Sequence, residues 1–198
     1  GIIDLKKNIV KFIGDPSLRI EEDKLRILRY FRFLSYYSNN QKELDKKSLL
    51  TCVNNFSLIN VVSRERINRE FAKIMVGKNA GFILNILRHY NLLNHLVNGF
   101  NKIKKSEIFL IDKLADDELL RLAFILIKSN LESIKLKKSL KKSNKEIKEL
   151  DLLCNNVIPI TTLSDAKKLK YNYGAFIAKK KYILSVVIFK LKKNKKIL

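Results

Sequence analysis

Between Pro16 and Pro159 the chain contains no proline, and only six glycines punctuate its 198 residues. Such a chain has few places to stop a helix, and this scarcity constrains the fold more than any other feature. Apolar residues recur at helical spacing from Pro16 onward, and no alternating, strand-like segment follows residue 14. Gly14-Asp15-Pro16 reads as a helix start. Asp15 suits the N-cap, and Pro16 suits the first helical position, where its missing N–H costs nothing. The pattern predicts one helix from there to about Tyr37, broken by Ser38-Asn39-Asn40, and a second over roughly 42–54. A third is expected over about 64–76, with Ser63 as N-cap and Glu65 in the first turn, where the helix dipole favours an anion. Gly77–Gly81 reads as a loop. Further helices are expected at about 80–90, 91–97, 105–113, 117–129, 131–142 and 144–155. After the Asn155–Pro159 break, one helix capped by Thr162 or Ser164 should reach about 170, and a last one should cover about 173–192.

Residues 1–13 differ from the rest. Ile2-Ile3-Asp4-Leu5 and Ile9-Val10-Lys11-Phe12-Ile13 are β-branched runs around Lys6-Lys7-Asn8, which predicts two strands or one hairpin. A lone hairpin is marginal in water, so these strands are expected to belong to a sheet completed by other residues. The expected fold is all-α after this short β-hairpin remnant, with no internal repeat. Gly1 takes the place of an initiator Met and no signal peptide is visible, so the chain reads as the interior of a longer gene product.

With 46% hydrophobic residues the chain can build a packed core and is not a disordered tail. Its 41 Lys and Arg against 19 Asp and Glu leave a net charge of +22. A field of that sign attracts polyanions: RNA, DNA or an anionic membrane surface. The longest late apolar run, Tyr182–Leu191, is about half the length of a bilayer-crossing helix and is interrupted by Lys190, which argues against a membrane span. Cys52 and Cys154 are far apart and no Cys-x-x-Cys occurs, which argues against a zinc ribbon or a disulfide framework. A reducing, cytoplasmic compartment is expected. His89 and His95 lack the spacing of a helical metal pair and read as structural.

The stretch that carries chemistry is Arg19-Ile20-Glu21-Glu22-Asp23-Lys24-Leu25-Arg26-Ile27-Leu28-Arg29-Tyr30-Phe31-Arg32-Phe33. On one continuous helix, Glu22, Arg26, Arg29 and Phe33 share a stripe, with Asp23 and Tyr30 at its edge and Leu25, Ile27, Leu28, Phe31 and Leu34 behind. A solvated helix with Glu22–Arg26 and Asp23–Arg26 pairs, contributing about 0.2–0.5 kcal/mol each, is one reading. Base recognition is the other. A carboxylate accepts from an exocyclic amine, and a guanidinium donates to ring nitrogens and carbonyls.

Ile13-Gly14-Asp15-Pro16, Arg19-Ile20, Glu22-Asp23, Leu25-Arg26, Leu28-Arg29 and Arg32-Phe33 resemble the signature of class II tRNA nucleotidyltransferases, the CCA-adding enzymes, and of their bacterial poly(A) polymerase relatives. That resemblance implies that Asp23 and Arg26 template the base of CTP or ATP, that Glu22 holds Arg26, and that Arg29 lies near the nucleotide phosphates. Asp15 belongs to the same signature as a supporting residue. Ser63-Arg64-Glu65-Arg66-Ile67-Asn68-Arg69-Glu70 is similar to a second family segment, with Glu65 and Arg66 as the implied supports of the nucleotide-binding helix. Asp116–Ala123 loosely resembles a later family helix, although an Asp-capped helix explains it as well. The resemblance is specific over residues 1–97, weak over 98–130 and nearly compositional afterwards.

The resemblance further implies four regions: a remnant of a head-domain sheet over 1–14, a nucleotide-selecting neck over 15–77, a helical body over 78–130 and a basic RNA-binding tail over 131–198. The family's transfer chemistry uses Mg²⁺ held by an Asp-x-Asp in a head domain. No Asp-x-Asp occurs here, so the chain alone is expected to be inactive, with its metal site supplied by a head domain outside it or on a separate chain. The expected partners are an RNA 3′ end, tRNA above all, and an NTP. The dense run Lys135, Lys137, Lys138, Lys141, Lys142, Lys145 and Lys148, followed by Lys167, Lys168, Lys170 and Lys179–Lys181, reads as phosphate contact, with Lys137, Lys138, Lys141 and Lys142 foremost. A solvated lysine face is the plain alternative. The rival functions are a catalytically inactive RNA-binding remnant and an unrelated DNA-binding protein. The motif order argues against the latter. CCA addition and poly(A) addition share these motifs and stay undivided.

Overall fold

The computed structural model describes residues 8–38 and 44–191. The described chain is helical throughout: α1 (Pro16–Glu22), α2 (Arg26–Tyr37), α3 (Lys46–Asn54), α4 (Arg64–Met75), α5 (Ala80–His89), α6 (Leu93–Leu96), α7 (Lys105–Ile108), α8 (Glu118–Ser129), α9 (Ile134–Ser139), α10 (Asn144–Cys154) and α11 (Leu163–Ile188). Short 3₁₀ turns at Phe56–Val61, Phe100–Lys102 and Phe109–Lys113 join them. The caps follow the local chemistry. Asp15 accepts from Ser17 and Leu18 N–H, and Ser63 and Asp117 cap α4 and α8. Ser143 with Glu146, and Thr162 with Asp165, form capping boxes on α10 and α11.

The expected β-hairpin is overturned. Its first arm, residues 2–5, lies outside the described residues. The second arm forms no strand, and there is no strand among the described residues. Asn8 turns the chain at φ 54. Phe12 gives its N–H to Ser48 Oγ at 3.3 Å and stacks its ring on Tyr30, with centroids 5.6 Å apart. Val10 and Phe12 both pack on the helical core. A side chain takes the N–H that a ladder would need, and the helices take the apolar side chains, so these β-prone residues serve as an extended strap.

One helix boundary also differs from expectation. The predicted single helix over 16–37 is broken at Asp23, which is extended at φ −151, ψ 106. The Asp23 carboxylate accepts the N–H of Leu25 at 3.1 Å, the local competition by which a short acidic side chain interrupts a helix and restarts it. The break expected between about 170 and 173 falls at Gly174, whose non-helical φ 74 and ψ 162 divide α11 into two helical stretches, a conformation glycine adopts without a Cβ clash.

One buried cluster extends from Ile20 to Val187, joining α2, α4, α5, α8 and α10, and a smaller one gathers Ile160, Leu169, Ala178, Tyr182 and Val186 around α11. At the centre lies a charge. Arg121 on α8 is 1% exposed. Its guanidinium donates to the carbonyls of Met75 at the end of α4, of Gly77 just beyond it and of Leu114 and Ala115 before α8, and to Asp116 Oδ1. Nearby, Asp112 accepts the N–H of Gly81 at 2.8 Å and so caps α5, whose own N-cap Asn79 makes no side-chain cap. Burial pushes the Asp112 carboxyl up from its ordinary value, against the lowering influence of that N–H. Gly77 lets α2 approach: a Cβ there would stand 2.7 Å from Ser35 Cβ.

Arg121 mainly satisfies carbonyls, so an apolar substitute of similar volume cannot replace it. Both Arg121→Met and Arg121→Ala should lower unfolding free energy by about 3–5 kcal/mol, because each leaves buried acceptors without donors. Urea denaturation followed by circular dichroism reads this directly. A Met variant as stable as the wild type would refute the assignment.

Candidate functional site

The break at Asp23 shapes the site. It turns α2 away from α1, so that Arg26, Arg29, Arg32 and Phe33 of α2, Arg19 of α1, and Glu70 and Lys73 of α4 face the strap 10–13 across a cleft of about 750 Å³. Three carboxylates organise these cations. Glu22 pairs with Arg19 at 2.9 Å and with Arg26 at 2.5 Å. Asp23 pairs with Arg29 at 3.2 Å and with Arg66 at 3.3 Å. Glu70 pairs with Arg32 at 3.2 Å and with Lys73 at 3.3 Å. Each acid bridges two cations, so the cluster keeps a positive surplus while its arginines are held in place.

The electrostatics follow from these contacts. The hydrogen bond from Arg26 is the largest influence holding the Glu22 carboxyl below its ordinary range. Arg26 also donates to the Arg19 carbonyl at 3.2 Å, which ties α2 back to α1. Glu70 is 6% exposed; Lys73 hydrogen-bonds its Oε1, whereas the Arg32 guanidinium lies near Oε2 without hydrogen-bond geometry. Chemically, guanidinium N–H groups not spent on these acids can donate in forks to phosphate oxygens or base edges. Asp23, its side chain 24% exposed, is an acceptor beside Arg29 and Arg66.

The structure brings together Glu22, Arg26, Arg29 and Asp23, but not on the single stripe expected. Arg26 and Arg29 line the cleft; Asp23 sits behind them, engaged by Arg29, Arg66 and the Leu25 N–H. Of the second segment, Arg66 reaches Asp23 from α4, whereas Glu65 is exposed in the first turn of α4 and does not line the cleft. Asp15 caps α1 and pairs with Lys47 at 2.9 Å, which fixes α1 against α3; Lys47 is the first cause holding the Asp15 carboxyl below its ordinary value.

Sequence reasoning missed the roles of Arg19, Arg32, Glu70 and Lys73. Arg32 follows Arg29 by three residues and Glu70 lies one turn beyond Arg66, but the pair of Arg32 with Glu70 crosses between helices, which spacing along one helix does not reveal.

The basic run divides in two. Lys137, Lys138 and Lys141 are exposed on α9 and the turn after it. Lys142 is 3% exposed and donates to Glu118 and Glu146, so its ammonium is an internal partner. Burial raises the Glu118 carboxyl despite that lysine. Lys180 likewise bridges Asp117 and Glu149 at 2.6 Å each, and Lys181 donates to the Leu152 and Asn155 carbonyls. Among the described residues no group of three or more His, Cys, Asp and Glu converges to hold a metal ion, so Mg²⁺ is assigned to none of them. No helix among them is long and apolar enough to cross a membrane.

Comparisons with known proteins meet this geometry. Residues 43–104 match the family model described as the probable RNA and SrmB-binding site of polymerase A. The CCA-adding enzyme of Staphylococcus saprophyticus is 27% identical over 202 residues, covering 98% of this chain and 47% of the relative. The mitochondrial CCA tRNA nucleotidyltransferase 1 of Danio rerio is 38% identical over 95 residues, 48% of this chain and 22% of the relative. The crystal structure of the Bacillus stearothermophilus CCA-adding enzyme in complex with CTP shares the fold, with a TM-score of 0.79 at 20% identity over 96% of this chain and 48% of that one. The chain thus spans less than half the length of each of these relatives. Its arginine-lined cleft stands on the helices that carry the resemblance, and the chain is similar in sequence and in fold to CCA-adding enzymes.

Proposed function

We propose that this chain supplies nucleotide selection and RNA binding to an enzyme that adds nucleotides to RNA 3′ ends, the tRNA CCA end in particular. The cleft carries the reading. Arg26 and Arg29 line it, with Glu22 and Asp23 fixing their directions. In this reading Arg26 donates to the base edge, Asp23 accepts from an exocyclic amine once its pair with Arg66 opens, and Arg29 and Arg32 receive phosphates. CTP or ATP is the substrate. The neck over 15–77 selects, and the basic tail over 131–198 binds RNA. The 198 residues hold no Asp-x-Asp, so the Mg²⁺-holding carboxylates come from a head domain outside them. That same absence is what favours the second reading, an RNA-binding remnant without catalytic use.

Joined to a relative's catalytic domain, the wild-type chain should support CTP and ATP incorporation in preference to UTP and GTP. Asp23→Ala removes an acceptor and Arg26→Ala a donor set, and each should erode that preference by about 1–3 kcal/mol. Unchanged nucleotide preference in both variants would refute the templating roles. RNA binding without any incorporation in the joined enzyme would favour the remnant.

RNA affinity should fall roughly 10²–10³-fold between about 50 and 200 mM salt if about 4–6 phosphates are neutralised. Replacing Lys137, Lys138 and Lys141 together by Gln should reduce the salt slope by about one per lysine while helicity stays intact. Lys142→Gln should instead lower thermal stability, since it strips the partner from Glu118 and Glu146. An unchanged slope in the triple variant would show that these lysines are solvated surface.

A further inference from the structure

Beside the cleft lies a row of rings that nucleotide selection does not use. Phe33 lines the cleft and is 42% exposed, and one turn further along α2 Tyr37 is 52% exposed. Their rings are stacked, with centroids 6.2 Å and planes 26° apart. The Arg32 guanidinium lies 4.6 Å from the Phe33 centroid. The opposite side of the same helix is spent on the core, where Ile27, Leu28, Phe31 and Leu34 are buried. A helix that already has a full apolar face gains little from leaving two more rings in water. Single exposed aromatics are ordinary, but a stacked pair continuous with an arginine-lined cleft resembles the arrangement by which proteins hold unpaired nucleotides: cations track the backbone and ring faces receive the bases.

We propose that Phe33 and Tyr37 form a stacking platform for the unpaired bases at the 3′ end of a bound RNA. This rests on the reading of the chain as a binder of RNA 3′ ends. A row of two rings points to a strand and not to a single free nucleotide. Residues one turn apart rise about 6 Å along a helix, so the row extends beyond the cleft and offers room for successive bases. Lys73, held by Glu70 at the cleft, stands where the connecting phosphates would pass. Stacking is indifferent to base identity, so the platform contributes affinity for a single-stranded end and leaves selection to the Asp23 and Arg26 pair.

The test uses this chain and two RNAs: a tRNA acceptor hairpin with an unpaired 3′ overhang carrying 2-aminopurine, and the same hairpin trimmed to a blunt end. Phe33→Leu/Tyr37→Leu keeps apolar bulk on the helix and removes the ring faces. It should weaken binding of the overhang RNA by about 5- to 100-fold, abolish quenching of the 2-aminopurine, and leave the blunt hairpin unaffected. Tyr37→Leu alone should give a smaller loss, and circular dichroism should show unchanged helicity in both variants. Equal affinity of variant and wild type for the overhang RNA would overturn the platform, as would an equal loss on both RNAs. An effect confined to ATP binding would move the rings to the free nucleotide and overturn it too. Wild-type binding to neither RNA would overturn the RNA-binding reading together with the platform; blunt and overhang binding with no dependence on the rings would overturn the platform alone.

Discussion

A single buried guanidinium fixes the arrangement on which the site depends. Removing a charge from water is costly unless every donor finds a partner. Arg121 meets that condition with four main-chain carbonyls and one carboxylate gathered from both sides of the α4–α5 junction and from the turn before α8. Those carbonyls stand at the end of α4 and in the turns that follow it and precede α8; those of Gly77 and Ala115 also accept the N–H groups of Ala80 and Asp117. The end of α4 is thereby fixed against α8, and the direction of α4 decides what its other end presents. Arg66, Glu70 and Lys73 face α2 because α4 is clamped at Met75 and Gly77 and pressed close to Ser35 through the missing side chain of Gly77.

From that scaffold the cleft inherits its order. Long arginine side chains on a surface helix lose considerable rotamer entropy when a ligand fixes them. Here Glu22, Asp23 and Glu70 have already fixed them, each from between two cations. An exposed ion pair contributes little to stability, with a median of about 0–1 kcal/mol. Positioning is the better explanation for three such bridges side by side. Preorganised donors bind an anion at lower entropic cost than free ones. The interruption of the helix at Asp23 belongs to the same logic. It spends one carboxylate oxygen on the Leu25 N–H and Arg66 and leaves the other against Arg29, which a continuous helix would have pointed elsewhere.

Most of the helical order was legible because caps and breakers are local. Asp15, Ser63, Asp117 and Thr162 stand where the chain chemistry puts them, and the scarcity of proline leaves few other solutions. The failures share one cause. The hairpin expected at 1–13 and the unbroken helix expected over 16–37 were read from pattern alone, whereas tertiary partners decide both. Ser48 and Tyr30 recruit the strap at Phe12, and Arg66, forty-three residues away in sequence, engages the carboxylate that breaks the helix. The contacts of Glu22 with Arg26 could be anticipated from spacing, being one turn apart. Those of Glu70 with Arg32 could not, since they cross between helices.

Charge shows the same division between count and place. A net charge of +22 describes the chain, but Lys142, Lys180 and Lys181 spend their ammonium groups inside it, on Glu118, Glu146, Asp117 and Glu149 or on carbonyls. What a polyanion meets is the remainder, and the remainder is sorted by type. Arginines concentrate at the cleft, where planar forks can distinguish one base edge from another. Exposed lysines such as Lys137, Lys138 and Lys141 gather on α9 and its turn, where point charges on flexible stems can follow a phosphate backbone without reading it. In the proposed function, that sorting separates selection from affinity. On that proposal, a lysine substituted for Arg26 would keep the charge but lose the fork, and with it the geometry proposed to read the base.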